Sequence, residues 1–600
     1  MGAKRCDLIS RERQFCLFEG NGEAQKRRER LGRSPPLVTL AENKAVNDYK
    51  QSSKPNFENE STRDMQYDEQ LSWAKALVGT RLSNIKAMVA KNASNVDEYQ
   101  QAIFDCSLST AELGGAEALA MQAGFSDHPL LSEMAEVNAG LTIKSVSERM
   151  LAPIESLGES AHEPISPETL KFVTACQQPD RLARLGKQVV EAGGDLGPRG
   201  LADDKAMMAD TFQQFADDVV APLAERIHRE DAIIPDAILQ GLKDLGCFGL
   251  SVPEQYGGLL PNGREDTLGM IVVTEELSRV SLGGAGSLIT RPEILARAIM
   301  EGGTPEQKSR WLPGIASGET LCAVAITEPD FGSDVASMKL KATQTGEGWV
   351  LNGAKTWSTF AGKANVLLTL ARTSPEPSLG HKGLSLFLVE KPSTNEHAFE
   401  VNQDAGGKLM GKAIDTVGYR GMHSYQLFFD NFVVPHSHVI GEGQGLGRGF
   451  YFTMRGFSGG RIQTAARAIG LMKGAFDKAL RYTNDRKVFD RPIADYQLSQ
   501  IKIARMAMAI ASGRQFTYAV GRMMDEGKGQ VEASLVKLVT CKQAEAVTRE
   551  AMQLHGGMGY AEETDVSRYW LDARVLSIFE GTEETLALKV VGRSLVDQAA

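Results

Sequence analysis

What this 600-residue chain lacks narrows its chemistry first. Its seven cysteines (Cys6, Cys16, Cys106, Cys176, Cys247, Cys322 and Cys541) are scattered. With no CxxC pair and no His/Cys cluster at zinc spacing, they imply a reducing compartment and no structural metal. No apolar run approaches the roughly 20 residues that cross a bilayer, and the N-terminus lacks the apolar core of a secretory signal. The expected location is therefore cytoplasmic, off the membrane. The mitochondrial matrix is the alternative, because residues 1–33 are rich in Arg and Lys, although Asp7, Glu12, Glu19, Glu23 and Glu29 interrupt the basic character of a transit peptide. An excess of basic residues is also missing. A net charge of −10 gives no pull toward nucleic acid or an anionic membrane, so a small acidic ligand would need positive charge gathered locally.

What is present reads as a globular protein, 42% hydrophobic and 24% charged. At roughly 150 residues per domain, its length suggests about four structural units. Residues 1–65 are polar, punctuated by GNGE, RSPP and SSKPNFENES, and read as a disordered arm. Residues 66–195 turn to Ala, Leu, Met and Glu at helical spacing, and in DEQLSWAKALVGTRLSNIKAMV the residues Leu71, Ala74, Leu77 and Leu82 share a face. EAGGDLGPRGL, 191–201, reads as a linker, and a second helical region fills 196–320.

Over 321–440 the period changes to strand-like runs, GWVLNGAKTW, ANVLLTLART, GLSLFLVEK and YQLFFDNFVV, with Asn352-Gly353 reading as a tight turn. Helical spacing returns over 441–600, with Leu498, Ile501, Met508 and Ala511 at helical intervals and Val536, Val539, Val547 and Leu554 following suit. The order helices, β-domain, helices predicts an α+β fold and argues against alternating βαβ units. GEGQGLGRG, 441–449, matches no full GxGxxG and sits in no βαβ unit, so it reads as a flexible connection.

Five short strings carry chemistry: AITEPDFGSD (325–334), NGAKTWSTFAGKAN (352–365), DRKVFDRPI (485–493), MQLHGGMGY (552–560) and LSIFEGTEET (576–585). Each has a bland reading alone. The first is a turn between strands, Trp357 is a core aromatic, and Glu580 is an acid favouring a helix N-terminus. Taken together, and over about residues 200–597, they resemble the acyl-CoA dehydrogenase family of flavoproteins. The resemblance implies that family's fold: an N-terminal helical domain, a middle β-domain and a C-terminal helical bundle, here preceded by an extra helical domain. It implies FAD as cofactor, with Thr327 on the flavin ring, Ser333 near its phosphates, Trp357 packed on the isoalloxazine and Thr359 near N5. Thr582 is carried over as a further flavin contact. Arg486 and Phe489 would clamp the diphosphate and adenine end, where Asp490 replaces the family's usual glycine. Gln553 and Gly557 would reach the adenosine diphosphate of a neighbouring subunit, so a homodimer or homotetramer is implied.

The same resemblance makes Glu580 the base that removes the α-proton of an acyl-CoA thioester. The thioester carbonyl would then be held by the glutamate's own N–H and a flavin hydroxyl, where charge develops. Some subfamilies carry the base on the helix just before an arginine matching Arg461, a position occupied here by Gly460. Arg461 reads either as an electrostatic partner near the site or as a packing residue. Within the family, the helical extension together with GYRGMHSYQLFFDNF and RIQTAARAIG most resembles the (2S)-methylsuccinyl-CoA dehydrogenases, which form mesaconyl-CoA. Arg291, in GSLITRPEIL, matches an arginine suited to a distal carboxylate, with a solvent-facing arginine at a helix start as the bland alternative. Ser424 departs from the acidic residue at that position in those enzymes. The expectation is FAD-dependent α,β-dehydrogenation of a short branched or dicarboxylic acyl-CoA, with electrons passed to an electron-transfer flavoprotein. The alternatives are another acyl chain, an oxidase, or a DNA-binding or scaffolding relative of the fold.

Overall fold

The computed structural model describes residues 67–92, 96–159 and 165–599; the arm expected over 1–65 lies outside them. The helical spacing of the extension becomes five helices, α1 (Asp68–Asn92), α2 (Gln100–Gly124), α3 (Pro129–Met150), α4 (Pro167–Cys176) and α5 (Pro179–Glu191). Proline opens α3, α4 and α5, where its missing N–H is harmless, and the side chains of His128 and Ser166 accept from Leu131 N and Thr169 N. Leu71, Ala74, Leu77 and Leu82 are all buried. Arg81 gathers the end of α3 by donating to the carbonyls of Arg149, Met150 and Ala152 while it pairs with Glu159.

Six helices follow: α6 (Asp203–Phe215), α7 (Ala221–Arg229), α8 (Asp236–Asp244), α9 (Thr267–Val280), α10 (Thr290–Gly302) and α11 (Pro305–Ala316). The sheet comes next, with eight strands: β1 (Cys322–Ala325), β2 (Lys341–Gln344), β3 (Trp349–Thr359), β4 (Val366–Arg372), β5 (Leu384–Glu390), β6 (Ala398–Asn402), β7 (Lys408–Ile414) and β8 (Ser424–Val434). They run in the order β1-β4-β2-β3-β8-β7-β6, with β5 on β4. Four further helices complete the chain before a last helical stretch over 583–598: α12 (Gly449–Asp485), α13 (Gln497–Asp525), α14 (Gln530–Leu554) and α15 (Val566–Leu576).

Two local expectations are corrected. Asn352-Gly353 is not a turn but lies inside β3, where the pairing with β8 slips by a residue. Gly353 takes φ 136° there, and its Cα faces Leu340, the close approach that a glycine inside a strand marks. The 441–449 connection is not loose, since Glu442–Gly445 forms one helical turn and an added Cβ at Gly445 would lie 1.8 Å from the Ile440 carbonyl. The helical spacing of Leu498, Ile501, Met508 and Ala511 is met in α13, where Leu498 on the first turn is 67% exposed while Met508 and Ala511 further along are buried.

The extension rests on the C-terminal helices through small residues. An added Cβ would come within 1.9 Å of the Gln500 carbonyl oxygen at Gly186, and within 2.5 Å of the Phe516 ring at Gly114. Ser107 donates to the Ala587 carbonyl (2.9 Å), and Gln497 donates to Asp180 (2.8 Å). The linker is pinned as well. Arg199 pairs with Glu276 at 2.6 Å, while neighbouring Glu275 accepts from Arg514 and Tyr518, both at 2.8 Å, so α9 and α13 are tied together at the point where the extension joins. Gly186→Ala forces a side chain into backbone and is expected to destabilise the protein by about 1–3 kcal/mol. The denaturant midpoint reads this, and an unchanged midpoint would show that α5 does not bear on α13 at that point.

Candidate active site

Glu580 does not belong to a helix. It lies on the bend after α15, two residues before Thr582, the N-cap whose side chain accepts from Thr585 N. Its φ is +56° and that of Gly581 is +96°, so the turn sets a non-glycine residue in left-handed backbone, a conformation that persists only where the surroundings enforce it. Lys537 of α14 enforces it. Its buried ammonium donates to the carbonyls on either side of Glu580, to Phe579 O at 2.8 Å and to Gly581 O. Burial pulls this lysine below its ordinary range. No described backbone partner engages the Glu580 N–H. The carboxylate faces α12, where an added Cβ at Gly460 would lie 2.7 Å from Glu580 Oε2. A side chain at 460 would therefore occupy the same space as the Glu580 carboxylate.

Around this carboxylate the structure gathers arginines. Arg461 donates to Ser534, and burial lowers its guanidinium below its usual range against the opposing pull of Glu580. Arg291 is buried rather than solvent-facing, and donates to the Ser287 carbonyl (2.8 Å) and the Tyr419 hydroxyl (3.0 Å). Tyr419 sits edge-on to Phe579, the residue before Glu580, with ring centroids 5.5 Å apart, and so links Arg291 to this turn. The segment carrying Tyr419 is strained and tied down: Tyr419 and His423 have φ +59° and +42°. Asp572 accepts from Tyr419 N (2.7 Å), Arg420 donates to the His228 carbonyl (2.9 Å), and His423 faces Asp231 (3.2 Å). Burial pushes the Asp572 carboxyl up to about 6.

The first two quoted strings lie side by side. Thr356 N donates to the Thr327 carbonyl (2.8 Å), and buried Lys355 donates to the Ile326 carbonyl (2.8 Å) and to Glu328 (2.9 Å). Glu328 also accepts from Lys339 N and Leu340 N. Burial pushes the Lys355 ammonium down to about 8. At the second slip of β3 against β8, between Lys355 and Ser358, Trp357 takes φ +56° and stays 54% exposed. A rigid strand thus holds a large aromatic face outward, as docking a flat ring requires. Thr359 shares a hydrogen bond with Ser424 (2.9 Å), and Ser333 accepts from Thr585 (3.1 Å), which joins the first string to the turn of Thr582.

Arg486, Phe489, Gln553 and Gly557 form a separate, exposed set. Arg486 and His555 share an open cleft of about 610 Å³ with Lys478, Tyr482 and Asp565, so the strings 485–493 and 552–560 meet there. Phe489, 89% exposed, and Asp490 form the tip of the hairpin between Lys487–Val488 and Arg491–Pro492, at φ +51° and +62°. Such two-residue tips favour glycine, and aspartate tolerates them, so the Asp490 replacement leaves a regular turn.

Three family models match the chain: the acyl-CoA dehydrogenase N-terminal domain over residues 202–319, the middle domain over 323–432 and the C-terminal domain over 447–596. The (2S)-methylsuccinyl-CoA dehydrogenase of Cereibacter sphaeroides is 38% identical over 488 residues, 81% of this chain and 85% of that protein. The chain belongs to the acyl-CoA dehydrogenase family. The mitochondrial 2-methylacyl-CoA dehydrogenase of Solanum tuberosum is 34% identical over 66% of this chain and 91% of its own length. Among solved structures, butyryl-CoA dehydrogenase from Megasphaera elsdenii matches with a TM-score of 0.60 at 31% identity, over 66% of this chain and 98% of that one. A Mycobacterium smegmatis glutaryl-CoA dehydrogenase in complex with FADH2 matches at 0.58 and 28%, over 67% and 96%.

This acyl-CoA dehydrogenase uses FAD and oxidises acyl-CoA thioesters. The outward indole of Trp357 and the adjacent Thr327 and Thr359 fit the ring of that cofactor. Sequence reasoning missed Lys537, Lys355, Glu328, Tyr419 and Arg467. Glu328 and Lys355 stand inside the quoted strings, yet nothing in one dimension paired them. Lys537→Met leaves two carbonyls unmet on either side of Glu580 and is expected to lower kcat about ten- to hundred-fold through misplacement of that carboxylate. Steady-state kinetics on FAD-loaded enzyme check this, and an unchanged kcat would remove Lys537 from the positioning role.

Proposed function

We propose that the protein dehydrogenates a short branched or dicarboxylic acyl-CoA across Cα–Cβ, with (2S)-methylsuccinyl-CoA going to mesaconyl-CoA as the leading case. The observation that carries this reading is the company of Glu580. A carboxylate turned out of the helix on left-handed backbone follows Phe579, whose ring meets Tyr419, the hydrogen-bond partner of a buried Arg291 that has no carboxylate within ion-pair reach among the described residues. Likeness to the Cereibacter enzyme supports it, because 488 matched residues exceed the span 202–596 that holds the three domains and so reach into the extension.

Glu580 takes the α-proton. Such a proton is far too weakly acidic for an unaided carboxylate, so the developing enolate must be stabilised where it forms. The unengaged Glu580 N–H serves as a donor to the thioester carbonyl oxygen. Phe579 and Tyr419 wall the base from water, and Arg461 supplies positive charge on its α12 side. FAD, when bound, supplies the acceptor for the β-hydrogen. Trp357 and Thr359 orient its ring, Thr327 and Thr582 add contacts, and Ser333 lies toward its phosphates. Arg291 binds the distal carboxylate.

Arg486, Phe489, Gln553 and Gly557 serve the flavin of a second copy, which makes the working unit a homodimer or homotetramer. Their exposure in the single chain supports this reading. An electron-transfer flavoprotein is the acceptor and the cytoplasm the compartment, in keeping with five described cysteines that are all free and buried.

Glu580→Gln is expected to keep its FAD and to lose about 10²- to 10⁴-fold in turnover, the range set by removing a positioned base. Anaerobic addition of (2S)-methylsuccinyl-CoA should bleach the yellow wild type and leave the variant yellow on the same timescale. Bleaching at equal rates would take the base role from Glu580.

A further inference from the structure

Five arginines are buried among the described residues: Arg81, Arg291, Arg467, Arg514 and Arg568. Three have a carboxylate: Arg81 pairs with Glu159, Arg514 with Glu275 and Arg568 with Glu225. Arg291 and Arg467 have none, and they are neighbours. Arg467, 0% exposed on α12, donates to the hydroxyls of Thr290 and Thr464, and its Nε has no partner. Thr290 precedes Arg291 in the chain. A closed ring of contacts results: Arg467 to Thr290, Arg291 to Tyr419 (3.0 Å), Tyr419 to Phe579 (5.5 Å), and the Arg467 guanidinium over Phe579 (5.4 Å).

Two adjacent guanidiniums out of water are costly unless an anion joins them. Burial, with the like charge of Arg291 added, pulls Arg467 below its usual range. The nearby carboxylates make no ion pair with either: Glu293 is held by Arg297 through Oε1 (3.0 Å), its buried Oε2 having no hydrogen-bond partner, and Glu580 is the base. The cation–π contact with Phe579 offsets part of the charge but leaves the N–H donors open. Each guanidinium directs two donors to hydroxyl or carbonyl oxygens, out of the five that arginine carries.

We propose that Arg467 and Arg291 together form a two-guanidinium seat for the carboxylate at the far end of the acyl chain, with the Tyr419 hydroxyl as a third contact. The inference rests on the dicarboxylic reading above and deepens it. A carboxylate accepts about four hydrogen bonds, which two planar forks supply with directionality that a single arginine lacks. The seat also bears on chain length. Phe579, on which Arg467 stacks, is the residue next to the base, so the bound carboxylate lies close to the reacting carbons and the site takes a short diacid.

The test compares FAD-loaded wild type, Arg467→Gln and Arg467→Lys on (2S)-methylsuccinyl-CoA and on 2-methylbutyryl-CoA, the same branched chain with methyl in place of carboxylate. Wild type should prefer the diacid. In Arg467→Gln the ratio of the two kcat/KM values should fall about ten- to hundred-fold, mostly through KM for the diacid, the range for one hydrogen bond to a charged group. Arg467→Lys keeps charge without the fork and should fall between them; it carries the test if the glutamine variant does not load FAD. Without acyl-CoA, Arg467→Gln should unfold at a higher temperature than wild type, because an uncompensated buried charge has gone. Equal losses on both thioesters with a lowered Tm would make Arg467 a fold residue and overturn the seat, as would an unchanged ratio. A wild type that does not prefer the diacid would overturn the dicarboxylic reading itself.

Discussion

A charge taken out of water must find an opposite charge or a full set of hydrogen bonds, and this constraint organises the structure from the extension to the active site. Arg81 closes the end of α3 onto Glu159, Glu275 ties α9 to α13, and Lys355 with Glu328 joins the two strings assigned to the flavin ring. In each of these the protein supplies both signs. At Arg291 and Arg467 it supplies one. On the reading proposed above, the missing sign is what a dicarboxylic substrate brings, so that binding energy and selectivity would arise from the same uncompensated charge. A protein of net charge −10 can recognise an acid in this way because the positive charge is local.

Rigidity around that charge comes from backbone held where side chains resist it. Glu580, Tyr419 and Trp357 all have positive φ, and each is fixed from outside: Glu580 by Lys537 on its flanking carbonyls, Tyr419 by Asp572 on its N–H, and Trp357 by the slip of β3 against β8. Strained residues persist only when the surroundings over-determine them, and here they carry the proposed base, the proposed wall of the acyl site and the proposed cofactor face. The domains around them are ordinary packed helices and sheet. Their strained backbone is concentrated at three short segments.

Local pattern made much of this legible, while cross-chain pairing was hidden. The order of helices, strands and helices followed from the change of period, and four of the eight strands stand in the apolar runs that the sequence displays. Short strands such as β2, with one buried residue in four, have no such run to announce them. Asn352-Gly353 misled because a bulge and a hairpin tip ask for the same residue. Glu580, Trp357 and Arg291 could be singled out by their strings. Arg467, six residues after Arg461 on the same helix, could not, since its meaning depends on Thr290 and Phe579, which are distant in sequence. The missing partner of a buried arginine becomes visible only once the contacts are known.

Whether the ligand's own carboxylate completes the charge of the site is read by calorimetric titration of the FAD-loaded wild type with a non-oxidisable S-(3-carboxypropyl) thioether of coenzyme A and with its methyl ester. The two ligands differ only in the masking of one negative charge. The free acid should bind at least about ten-fold tighter, the low end for a hydrogen bond to a charged group. Equal affinities would show that the buried guanidiniums do not meet the far end of the acyl chain.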